Sequence, residues 1–136
     1  MSNINLAGRS NYVRIKDHAG LSKSLSIFSH LSLESGKDGK YCILSEYDSP
    51  FSQSAYVDDE EGGEMEVEFD AQTHIMPFLE DNEIFIIIEV QNDKLRWLYG
   101  WADAYQGNKR LTVNLEDIYK KIEKEWGTDE YTTAQY

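Results

Sequence analysis

The stretch EIFIIIEVQNDKLRWLYGWADAY, residues 83–105, decides the fold of this chain. Glu83 to Val90 is rich in β-branched residues, Asn92 and Asp93 carry turn chemistry, and Trp97, Tyr99 and Trp101 recur at every second position. Period two marks a strand, so the segment reads as a β-hairpin. With Asn92-Asp93 as a two-residue turn, Val90 would oppose Leu95, Ile88 Trp97, Ile86 Tyr99 and Ile84 Trp101. Aromatic–aliphatic pairs of this kind contribute up to about 1 kcal/mol each beyond burial, which makes Trp97 and Tyr99 an expected inner wall. The other face would pair Glu89 with Arg96 as a cross-strand ion pair, Ile87 with Leu98, and Phe85 with Gly100, whose missing side chain the ring would cover.

Downstream, Gly107-Asn108 suits a two-residue turn into a last strand, Arg110 to Asn114. That turn places Asn114 across from Trp101, Thr112 across from Asp103 and Arg110 across from Tyr105. A C-terminal helix, 114–126, follows from an Asn114 cap with Asp117 three residues on, an apolar stripe of Leu115, Ile118, Tyr119, Ile122 and Trp126, and the terminating Gly127. It is expected to cover the sheet face bearing Leu98, Ala102 and Ala104. Residues 128–136 show no core-forming pattern and read as a flexible tail.

Upstream, Asn11 to Asp17 alternates Val13 and Ile15 with Tyr12, Arg14 and Lys16, which predicts a strand. Leu21 to Glu34 fits period two better than a helix, with a helix as the alternative for its first half, where Leu21, Leu25 and Phe28 make a partial stripe. SGKDGK, residues 35–40, predicts a turn into a strand from Tyr41, with Leu31 and Leu33 sharing a face with Cys42 and Leu44. Asp48 to Gly63 reads as a long exposed loop. Glu64 to Asp70 alternates acids with Met65, Val67 and Phe69, a strand with one wet side. Ala71 to Asp81 reads as a connection with a short helical turn, because Pro77 forbids a long one. The fold class that follows is α+β: an antiparallel, bent or partly closed sheet of about six or seven strands with a C-terminal amphipathic helix packed on one face, in a single domain, 1–127.

The net charge is −12, and its distribution is uneven. Residues 41–93 contain no Lys or Arg but 15 of the 25 acids, so the remainder, with 13 basic and 10 acidic residues, sums to +3. Such a one-sign segment repels phosphates and anionic membranes and attracts basic surfaces. Direct nucleic-acid binding is therefore not expected, and no apolar run approaches the roughly 20 residues of a membrane span. An EF-hand loop with its glycine at Gly63 would need a bidentate Glu where Phe69 stands, so the calcium motif fails. The spacing of the acidic strand, about 6.7 Å per alternate residue, matches phosphate steps of a nucleic acid only loosely. The single Cys42 excludes an internal disulfide and a thiolate zinc site. His18 and His74 stand in polar connections without ligand spacing, and no phosphate-loop, dinucleotide, metalloprotease or nucleophile-elbow pattern occurs. No catalytic residue, metal or cofactor is assigned, and a non-enzymatic role is expected. No export segment is read at the N-terminus, which places the expectation in the cytoplasm.

Two functions remain. The first is a small acidic interaction protein that binds and inhibits a basic partner, a nucleic-acid-binding protein or a toxin, in the manner of nucleic-acid mimics and immunity proteins of phages or mobile elements. Asp58, Asp59, Glu60, Glu61, Glu64, Glu66, Glu68 and Asp70 would make the contact. The second is a small-molecule-binding or catalytic domain with a pocket at the end of the sheet, lined by Trp101, Asp103, Tyr105 and Arg110.

Overall fold

Along the described residues, 4–93 and 97–133 of the computed structural model, the order is β1 (Ile4–Ser10), α1 (His18–Leu25), β2 (Leu31–Ser35), β3 (Tyr41–Ser45), β4 (Ala55–Asp58), β5 (Glu64–Val67), α2 (Ala71–His74), β6 (Phe85–Asp93), β7 (Trp97–Gln106), β8 (Lys109–Asn114) and α3 (Asp117–Trp126). The fold is α+β. Six strands form one antiparallel sheet in the order β2-β3-β1-β6-β7-β8, and β4 and β5 form a separate hairpin. The ends of the sheet, β2 and β8, do not pair with each other, so it stays open.

The central hairpin forms with a different register from the expected one. Phe85 opposes Tyr105, Ile87 opposes Asp103, Glu89 opposes Trp101, Gln91 opposes Tyr99 and Asp93 opposes Trp97. Asn92 and Asp93 are not the turn, because β1 pairs with β6 along its whole length and takes Asn5 against Asn92 and Ile4 against Asp93. The ladder to β1 thus carries β6 beyond the turn chemistry. An odd shift in register swaps the facing of one strand relative to the other. The aromatic row therefore shares its face with Phe85, Ile87 and Glu89, while Ile86, Ile88 and Val90 oppose Ala104, Ala102 and Gly100 on the other face. Arg96, Lys94 and Leu95 lie outside the described residues.

β1 precedes the predicted strand. Its sequence, INLAGRS, has no apolar alternation, yet Leu6 and Ser10 are buried on the core side. Gly8 lies between them beside the Glu89 side chain, where an added Cβ would stand 3.5 Å from the Glu89 carboxylate. Val13 and Ile15 do point inward, but they form only isolated bridges, to Tyr41 and Leu79. The first half of Leu21 to Glu34 is the helix α1, capped by Asp17, and its stripe Leu21, Leu25 and Phe28 is buried. The strand reading holds only from Leu31. In the β2–β3 hairpin Leu33 opposes Ile43 and Glu34 opposes Cys42, a register one residue off the expectation. Its connection is a 3-10 turn with Asp38 and Gly39 both at positive φ. The segment 48–63 is not a plain exposed loop: Phe51 and Ala55 are buried and β4 lies within it.

The core lies on one face of the sheet. Leu21 and Leu25 of α1, Phe28, Ile43, Phe51, Ile75 and Leu79 close over Phe85, Ile87 and Tyr105. Much of the far face of β6, β7 and β8 is exposed. α3 ends as predicted, with Gly127 in the left-handed C-cap, but it starts three residues later than expected: Asn114 is the last residue of β8 rather than the cap, its N–H is accepted by Asp117 at 2.8 Å, and no residue of the helix is buried. Among the described residues α3 does not make the expected cover over Leu98, Ala102 and Ala104. Leu115, not Phe85, lies over Gly100, and an added Cβ there would come within 3.1 Å of it. No helix among the described residues is long and apolar enough to cross a membrane.

Candidate functional site

A cavity of about 330 Å³ opens on the core face of β6, β7 and β8. Its floor is the alternating set Tyr99, Trp101, Asp103 and Tyr105 of β7, with Arg110, Thr112 and Asn114 of β8 beside them. The Gly107-Asn108 turn sets that register, and the structure reproduces it: Trp101 opposite Asn114, Asp103 opposite Thr112, Tyr105 opposite Arg110. Phe51 and Ser52 form one wall, and Phe69, Asp70 and Ala71 another. All four pocket residues read from the sequence, Trp101, Asp103, Tyr105 and Arg110, line this one cavity.

The wall at Phe51 is held by a buried carboxylate. Glu89, 4% exposed, accepts the Phe51 N–H at 2.6 Å through one oxygen and the Trp101 indole N–H at 2.8 Å through the other. The register sets Trp101 opposite Glu89; the expected partner, Arg96, lies outside the described residues. His30 Nε2 lies 3.2 Å from the Phe51 carbonyl, which can only accept, so the ring proton sits on that nitrogen. The Phe51 backbone is thus fixed at both its N–H and its C=O, and Glu89 links that wall to the indole on the floor.

Asp103 is the polar centre. It is 5% exposed, and its Oδ2 accepts from Arg110 at 2.7 Å and from the Tyr105 hydroxyl at 3.2 Å. The hydrogen bond to Asp103 raises the Arg110 guanidinium above its ordinary value. Burial, reinforced by the Asp103 charge, pushes the Tyr105 phenol up to about 12, so it remains a neutral donor. Arg110 also lies over the Tyr105 ring, 5.5 Å from its centroid. The other oxygen of Asp103, Oδ1, is buried and has no hydrogen-bond partner, and the same holds for Asn114 Oδ1 on the neighbouring strand. Asp103 and Asn114 both line the cavity, while these two oxygens are themselves buried beneath its surface. Among the described residues no group of three His, Cys, Asp or Glu converges to hold a metal ion.

Of the acidic segment only Asp70 reaches this cavity. Asp58, Glu64 and Glu66 share one face of the β4–β5 hairpin with the exposed Tyr56, while Ala55 and Val67 turn to the core. Asp58, Glu60, Glu61, Glu64, Glu66 and Glu68 are exposed. Asp59 and Asp70 have structural work instead. Asp59 accepts the N–H groups of Glu61 and Gly63 and closes the turn, and Asp70 caps α2 through Gln72 N–H and the Thr73 hydroxyl. Other acids of the basic-free segment are similarly engaged, Asp48 by the Leu6 N–H and Glu83 by the Arg14 N–H. The charge excess is partly backbone capping.

Sequence reasoning missed Glu89, Phe51, Phe69 and Asn114 as parts of the cavity. A usable signal existed for Glu89: a carboxylate inside IFIIIEV must find donors if buried. The contribution of Phe51 and Phe69 depends on how two remote segments fold over the sheet. Comparison with family models, with curated proteins and with solved structures found no match.

Proposed function

We propose that this chain binds a small neutral or cationic molecule, rich in O–H or N–H donors and with one apolar face, in the cavity over Trp101 and Asp103. The single observation that carries this reading is the cavity itself, lined by ring faces and by Asp103 and Asn114, whose Oδ1 atoms lie buried and without partners where a small shift of either side chain would offer them to a ligand donor. A buried unsatisfied acceptor costs roughly 1–3 kcal/mol, a penalty that a ligand donor would relieve. Tyr99, Trp101 and Phe69 offer ring faces for the apolar side of such a ligand. Asp70 and Asp103 against a single Arg110 disfavour phosphates, which points to a monosaccharide-like polyol or an amine. A volume of about 330 Å³ lies at the small end of ligand sites.

Tryptophan fluorescence titrated with monosaccharides, primary amines and nucleotides tests this. A saturable response to a polyol or amine is expected, weakened about 10- to 100-fold in Asp103→Asn. In that variant the amide oxygen can keep Arg110 while its NH₂ replaces the second acceptor with a donor, so the shape of the side chain is kept. Asn114→Leu should weaken the same response. Silence across the panel, or a response indifferent to both substitutions, refutes the reading.

A second reading is favoured by the hairpin: six exposed carboxylates on and beside β4–β5, with Tyr56 among them. Such a surface suits a basic protein partner, which this chain would occupy and inhibit. Affinity for that partner should fall steeply as ionic strength rises and drop on neutralising Asp58, Glu64, Glu66 and Glu68. Binding insensitive to salt counts against it.

A further inference from the structure

The far face of the sheet and the stripe of α3 are both apolar, and among the described residues much of each stays exposed, although Leu115 lies over Gly100 and Tyr119 stacks on Tyr131. Ile88, Val90, Leu98, Leu111 and Val113 on the sheet, with Ile118 and Trp126 on the helix, are 49–76% exposed. Half-exposed aliphatics in the middle strands of a six-stranded sheet mean that little of the described chain lies above them. A monomer seldom shows so large a contiguous apolar patch.

We infer that a second copy of this chain covers this face, each copy laying α3 on the sheet of the other. Three observations select that occupant. First, one chain carries both halves of a helix-on-sheet interface, as a two-fold arrangement requires. Second, seven large apolar side chains 49–76% exposed supply an apolar centre of the kind that a standard interface of ~800 Å² per partner needs. Third, the charges permit it. The β1, β6, β7 and β8 positions on this face (Asn5, Ala7, Arg9, Ile86, Ile88, Val90 and onward) include no acid, whereas the core-side layer carries the acidic hairpin. Within α3, Lys120, Lys121 and Lys124 balance Asp117, Glu123 and Glu125. Two chains of net charge −12 can meet here without opposing carboxylates.

The hinge explains why the helix does not close on its own sheet. The Leu115 N–H still bonds to the Gly100 carbonyl at 2.9 Å, extending the β7–β8 ladder, and the Asn114 N–H is taken by Asp117. Only Glu116 separates the last sheet-bound residue from the first of α3. Short, fixed connections of this kind favour exchange between copies over closure within one.

Light scattering on the full chain at micromolar concentration should give twice the mass of one chain. Leu98→Glu on the sheet and Trp126→Glu on the helix should each weaken self-association by more than about tenfold, with unchanged circular dichroism because both side chains are already exposed in one copy. The control Glu66→Gln should leave the dimer intact, and added salt should tighten it by screening the net charge. A monomeric wild type overturns the inference, as does a dimer that survives both substitutions. A dimer broken by Leu98→Glu but untouched by Trp126→Glu overturns the helix-on-sheet arrangement.

Discussion

Phe28→Ala is expected to lower the unfolding free energy by about 3–5 kcal/mol, the cost of emptying a buried aromatic site. Phe28 is 1% exposed and joins several segments remote in sequence. Its ring stands edge-on to Phe69 at 5.5 Å, to His74 at 4.9 Å and to His30 at 6.1 Å, so it ties the end of α1 to the strand β5 exit, to α2 and to the start of β2. Its backbone accepts the Leu31 N–H and donates to the Leu25 carbonyl, which locks the turn between α1 and β2. Few neighbours can collapse into the gap, because Leu21, Ile43 and Ile75 around it are themselves fully buried. Natural domains hold only about 5–15 kcal/mol in total, so much of the stability would go. Urea titration followed by far-ultraviolet circular dichroism reads the effect. A loss below about 1 kcal/mol would show that the site relaxes freely and that Phe28 is no hub.

Glu89→Ala should cost about 3 kcal/mol, through hydrogen bonds rather than volume. The Phe51 N–H would be left buried without an acceptor, and the Trp101 indole would lose its anchor. Hydrogen bonds to charged groups contribute roughly 1.5–3 kcal/mol each, offset in part by no longer burying a carboxylate. Glu89→Gln separates the two bonds. Its single carbonyl oxygen can accept only one of the two N–H groups, and its NH₂ meets the other donor head-on, so about half the loss should remain. Thermal unfolding should show a shift of about 10 °C for the alanine variant, given that 1 kcal/mol moves a domain of this size by some 3–5 °C. Trp101 emission should change in both variants, since the indole N–H loses or alters its partner. An alanine variant as stable as wild type would mean that Glu89 is a buried charge the fold tolerates rather than a strut it uses.

Legibility followed the range of the forces involved. The C-terminal turn Gly107-Asn108 specified its own register because a two-residue loop allows few alternatives, and the β7–β8 pairing came out as read. The four pocket residues belong to that locally determined unit or sit directly on it, which is why the sequence grouped them. Asn92-Asp93 has equally good turn chemistry, yet β1 claims both residues for its ladder. A strand almost 90 residues away in sequence overrode a local preference, and with it changed which β6 residues share a face with Tyr99 and Trp101. Similarly, INLAGRS has no strand pattern, in part because Ser10 sits on its buried side to accept the Ile43 N–H at 2.7 Å.

By itself, then, the sequence determined the elements whose signals are local: the alternation of β5, β6 and β7, the last hairpin, the amphipathic α3 and its glycine cap, and the excess of negative charge over residues 41–93. Only the tertiary structure decided which face those aromatics share and that Phe51 and Phe69 wall a cavity over them. It also decided that several acids of the one-sign segment are caps, and that the stripe of α3 and the far sheet face are both left largely exposed. The physical reason is that period and turn chemistry act over a few residues, whereas register and burial are set by whichever remote strand completes the ladder.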